Sequence, residues 1–138
     1  MMTLKSKSTN MLEKAKELFG KQAERIAAQP KKLQELLGQV GQKIGKMARD
    51  PRIQKLVMPL AVFTRMIKAH YAGEYSIATS TLIFIILGMV YFISPIDIIP
   101  DFLGVFGFAD DASVVLAIFA RLKDQIEEFL EWERTSKE

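Results

Sequence analysis

Apolar residues in the first half of the chain recur at helical spacing. Leu12, Ala15, Phe19, Ala23 and Ile26 fall three or four apart, which puts them on one face of a helix. Lys14, Lys16, Lys21 and Arg25 lie largely off that stripe and are expected to face lipid. Residues 1–8 are polar and expected to fray. Asn10 with Glu13 matches a capping box, which sets the expected helix start near residue 10. Gln29-Pro30 then breaks the pattern.

A second amphipathic run carries Leu33, Leu36, Leu37, Val40, Ile44 and Met47. Gly38, Gly41 and Gly45 weaken it, each by about 1 kcal/mol against alanine. Gly41 and Gly45 form a GxxxG spacing that in so polar a segment reads as chance. Asp50-Pro51 marks a third start, with aspartate at the N-cap and proline at the first helical position. Ile53, Leu56, Val57, Leu60, Thr64 and Ile67 give its apolar face, Pro59 should kink it, and Tyr71-Ala72-Gly73 should close it. No stretch alternates as a strand does, so the fold class is all-α.

Residues 76–93, SIATSTLIFIILGMVYFI, contain no charge. As helix they would span about 27 Å, close to a hydrocarbon core of about 30 Å, and extension back to Ala72 would add a turn. Tyr75, Tyr91 and Phe92 place rings near both ends, where interfacial aromatics are favoured. A chain of 138 residues has little mass with which to bury a helix apolar all round. The expected architecture is therefore a small helical membrane protein. The apolar helix 76–93 and a C-terminal helix form a hairpin, preceded by basic amphipathic helices. The uninterrupted apolar part of the return limb is only Ala112–Ala120. It continues as an amphipathic helix through Leu122, Ile126, Phe129 and Leu130.

Charge sharpens this picture. Residues 1–55 hold 13 Lys/Arg against 5 Asp/Glu, whereas residues 69–120 hold no Lys or Arg. The division suggests a basic amphipathic arm, 1–55, and a membrane-associated domain, 56–138. Anionic lipid is the expected partner of the arm. Nucleic acid is not, because Phe19 is the arm's one aromatic and base stacking needs more. Arg121 and Lys123 appear as soon as the apolar limb ends, so both termini are expected on the cytoplasmic side of an inner or endomembrane bilayer. There is no cysteine, which excludes disulfides and thiolate chemistry. No apolar core follows the basic N-terminus, so no secretory signal is expected.

The unusual chemistry lies between the limbs. Asp97, Asp101, Asp110 and Asp111 fall within fifteen residues, among apolar neighbours and with no basic partner. Carboxylates at membrane depth normally mark a polar role. One reading is capping: Ser94 and Pro95 start a helix, and Asp110 and Asp111 suit the start of the last one. A second is a divalent cation site for magnesium or calcium, which take carboxylate oxygens. A third is partner docking or a proton-linked role. His70, the only histidine, reads as an interfacial or capping group, and Ser94 and Ser113 have no histidine base near them.

The stretch from Tyr91 to Asp111 resembles the YkvA-like family, the domain of unknown function 1232. Its hallmark is an aromatic residue, then Ser94-Pro95-Ile96-Asp97-Ile98-Ile99-Pro100-Asp101, then a Gly-aromatic-x-Asp-Asp group ending at Asp110-Asp111. Ala72-Gly73-Glu74-Tyr75, Phe129 and Trp132 extend the likeness over about residues 60–133. Gly104 departs from it, since many relatives have proline there. The resemblance implies a small membrane-associated helical domain with no established enzymatic activity. The expected function is a non-enzymatic, membrane-anchored protein without a cofactor. Its motif, Ser94, Pro95, Asp97, Pro100, Asp101, Asp110 and Asp111, would be a structural element or would dock an unknown protein partner. The alternative is a cation-dependent membrane enzyme or ion-handling protein using the four aspartates.

Overall fold

The computed structural model describes residues 4–93 and 111–136. These form seven helices: α1 (Leu4–Ala27), α2 (Pro30–Lys46), α3 (Pro51–Gln54), α4 (Val57–Tyr71), α5 (Thr79–Ile93), α6 (Asp111–Arg121) and α7 (Lys123–Ser136). No strand occurs among the described residues, so the all-α expectation holds.

Helix α1 begins at Leu4 rather than at the Asn10 capping box. No glycine or proline separates Leu4 from Asn10, so continuing the helix N-terminally costs little per residue. Its stripe of Ala15, Phe19, Ala23 and Ile26 is buried. Pro30 is the first residue of α2, behind Gln29 as N-cap, a position where its missing N–H costs nothing. Leu33, Leu36 and Val40 are buried, while Leu37, Ile44 and Met47 pack at the margin. A Cβ on Gly38, Gly41 or Gly45 would meet nothing within 4 Å, so the GxxxG spacing packs against no helix among the described residues.

The expected kink at Pro59 is a break. The Asp50 carbonyl accepts from the N–H groups of Ile53 and Gln54, both at 3.0 Å, and the short α3 ends there. A new helix begins at Val57 with Pro59 in its first turn, where proline's lost donor is tolerated. The break also corrects the expected apolar face. Val57 is 42 % exposed, and Phe63 and Met66 fill the core with Leu56, Leu60 and Ile67. At the far end Gly73 adopts φ +77°, a left-handed conformation that glycine enters without a Cβ penalty. Its N–H donates to His70 O, and Glu74 N–H donates to Ala69 O at 2.9 Å, which stops α4 where expected.

Helix α5 lies at the centre. Ten of its fifteen residues are buried, covered by α1, α2, α4 and α6. The arm and the C-terminal half thus share one core, running from Ala15 to Phe129. Sequence reasoning set the cover too low because it treated the two halves separately. Helix α5 is also shorter than the charge-free run: residues 72–78 form the connection from α4. At 1.5 Å per residue its described part is about 22 Å long. Among the described residues no helix is long and apolar enough to cross a membrane.

Candidate functional site

The motif from Ser94 to Asp110 lies outside the described residues, so Ser94, Pro95, Asp97, Pro100, Asp101 and Asp110 receive no geometry. Asp111 is the first residue of α6; its side chain lies outside the described set, as does that of Lys14. What is described is the frame around the motif. Gly88 of α5 faces Ile118 of α6, and a Cβ on it would stand 3.1 Å from Ile118 Cδ1. One turn earlier on α5, the Phe84 ring lies 5.2 Å from the Arg121 guanidinium carbon. Contacts that advance along one helix and retreat along the other define an antiparallel pair. The motif is the connection between its two limbs.

The C-terminal end of α5 has a partner that sequence reasoning missed. The last described turn of α5 contains no basic residue, although the C-terminal part of a helix carries partial negative charge. Lys43 of α2 supplies the cation, its ammonium donating to the Phe92 carbonyl and lying 4.6 Å from the centre of the Phe92 ring. The signal available in the sequence was a long apolar helix without a terminal cation. Nothing local indicated which lysine would serve.

Other singled-out residues resolve into packing roles. His70 Nδ1 accepts the Ile77 N–H at 3.0 Å, so the ring holds the connection between α4 and α5. Its neighbour Tyr71 donates from its hydroxyl to Ala27 O at 2.5 Å, closing α4 onto the end of α1. Burial raises the Tyr71 phenol above its ordinary pKa. Tyr75, Phe129 and Trp132 form a cluster with ring centroids 5.0–5.6 Å apart. Burial, and then the Glu128 carboxylate, raise the Tyr75 phenol likewise. Trp132 therefore packs on neighbouring rings. Arg65 pairs with Glu133 at 2.8 Å, joining α4 to α7.

Lys16, Lys21 and Arg25 are exposed on α1, Lys21 and Arg25 on the side away from its buried stripe and Lys16 at its edge. Lys16 and Arg121 both approach the half-buried Phe84 ring, Lys16 Nζ at 5.8 Å from its centre. Among the described residues no cluster of three or more His, Asp or Glu could hold a metal ion. That does not bear on Asp97, Asp101 and Asp110, which lie outside them.

Residues 81–117, covering most of α5, the whole motif and part of α6, match the family described as "Protein of unknown function (DUF1232)". The chain is 29 % identical over 80 residues to the "Uncharacterized membrane protein YkvA" of Bacillus subtilis (strain 168). The match covers 57 % of this chain and 76 % of that protein. No solved structure matches. Both similarities bear out the resemblance to the YkvA-like DUF1232 family, over residues 81–117 for the family and over 80 residues for the relative.

Proposed function

We propose that the protein is a non-enzymatic, membrane-associated helical module that meets the cytoplasmic leaflet through its basic helices. The observation that carries the proposal is the division of α1. Its apolar stripe is buried against the core, while Lys21 and Arg25 face outward and Lys16 is exposed at the stripe's edge. Cations held on a rigid outer face are attracted to anionic lipid by about 1 kcal/mol each near the surface. The relative's name as a membrane protein supports the same reading. In this reading the motif from Ser94 to Asp111 is a structural or partner-docking element between α5 and α6.

Packing supports attachment at the leaflet surface. With α1 packed on α5, a membrane-crossing α5 would carry the charged face of α1 into hydrocarbon. That costs roughly 2.5–3.5 kcal/mol for each central Lys or Arg. The packed bundle therefore sits on the leaflet. The charge-free run 76–93 and the antiparallel α5–α6 pair favour a second reading, a hairpin anchor, which requires α1 to leave α5. Membrane fractionation tests both. Membrane-bound protein released by carbonate or high salt is the expected result for the surface-docked bundle. Retention through carbonate would favour the inserted hairpin, and recovery in the soluble fraction at low salt would sink membrane association altogether.

A further inference from the structure

Among the large hydrophobic residues described, Met58 is the most exposed at 59 % and Val57 follows at 42 %. They are adjacent, in the first turn of α4, where the break before Pro59 turns them out of the core. Cations surround them in sequence: Lys46 ends α2, Arg49 precedes α3 and Lys55 follows it, and all three are exposed. Asp50 is the only acidic residue between Glu35 and Glu74. The Gln54 side chain donates to Ala48 O at 3.1 Å, which draws this corner together. The Lys43–Phe92 contact puts the C-terminal end of α2 beside the C-terminal end of α5. The corner therefore stands at the end of the bundle where the chain leaves α5.

We propose that this corner, Lys46, Arg49 and Lys55 around Val57 and Met58, is the surface that docks on an anionic phospholipid bilayer. The inference rests on the membrane reading above and names the contact within it. An unbranched methionine and a valine can enter the acyl boundary while the flanking cations meet headgroup phosphates, the two components of interfacial binding. The sequence from Lys43 to Val62 contains no aromatic residue, so the corner offers no platform for bases.

The test uses the full chain with Trp132→Phe and Met58→Trp, its fold checked by circular dichroism, and vesicles of phosphatidylcholine with or without phosphatidylglycerol. Expected are a blue shift of the introduced indole and its quenching by bromine-labelled acyl chains, with phosphatidylglycerol only. Lys46→Gln, Arg49→Gln and Lys55→Gln together should weaken flotation about a hundredfold, the attraction of three cations. Met58→Asp in the otherwise native chain should also weaken it. Flotation with a water-exposed, unquenched indole at position 58 would overturn the corner and leave membrane association standing. No flotation with either vesicle would overturn both. Equal binding to both vesicles, to a nucleic-acid duplex, or to a second copy through Met58 without lipid quenching would also overturn the proposal.

Discussion

Truncating Phe19 tests whether the basic arm belongs to the core. Phe19 is 8 % exposed and meets Tyr91 of α5 edge-on, with ring centroids 5.8 Å apart and planes at 90°. Phe→Ala in a core costs about 3–5 kcal/mol, including the cavity left behind. The slight residual exposure favours the lower end, about 3 kcal/mol. For a domain of this size that lowers the thermal midpoint on the order of 10 °C. The assay is urea and thermal unfolding of the full chain followed by far-UV circular dichroism. A cycle with Tyr91→Leu should return a coupling of about 0.5–1.5 kcal/mol for the ring pair. Lys21→Ala, on the exposed face, is the control and should move the midpoint little. Were Phe19→Ala as benign as Lys21→Ala, α1 would not share the core, and the argument against a spanning α5 would lose its basis. Loosening α1 should also increase the carbonate-resistant fraction, because it uncovers the most apolar helix.

Gly73→Ala should cost about 1–2 kcal/mol, because a Cβ at φ +77° is strained even in open space; an unchanged urea midpoint would contradict that turn. Gly88→Leu should cost about 1–3 kcal/mol by overpacking against Ile118, and a variant as stable as the native protein would mean that α5 and α6 are not so close. The raised Tyr71 phenol contributes stability that is complete below the unfolded pKa of about 10 and is lost as pH rises through the folded value. Tyr71→Phe should therefore flatten the alkaline limb of an unfolding-versus-pH curve, besides losing about 0.5–1.5 kcal/mol of hydrogen bond to Ala27 O; an unaltered alkaline limb would refute the assignment. If Asp97, Asp101, Asp110 and Asp111 are caps, Asp→Asn should be mild and Asp→Ala should cost about 1 kcal/mol per site, nearly additively. If they share a cation, Asp→Asn should be severe, double variants should be no worse than singles, and calcium or magnesium should raise the midpoint of the native protein alone.

The sequence by itself indicated the helical class, because apolar residues outside the continuous run 76–93 are spaced three and four apart. It determined most boundaries that rest on local chemistry. Pro30 opens α2, Pro51 opens α3 and Gly73 closes α4, each through a backbone constraint carried by that residue. The family likeness was also legible, since the aspartate motif is a contiguous string. Tertiary structure decided what periodicity leaves open. A helix apolar all round suits a bilayer or a protein core equally well, because both solvents lack water. That α1, α2, α4 and α6 cover α5 is visible only in the packed structure. The same holds for Lys43, whose role at the end of α5 depends on a neighbour 49 residues away. It holds too for Val57, which belongs to an apolar stripe in one continuous helix but not after the break at Pro59. Spacing fixes which residues share a face; only the assembled fold fixes what that face meets.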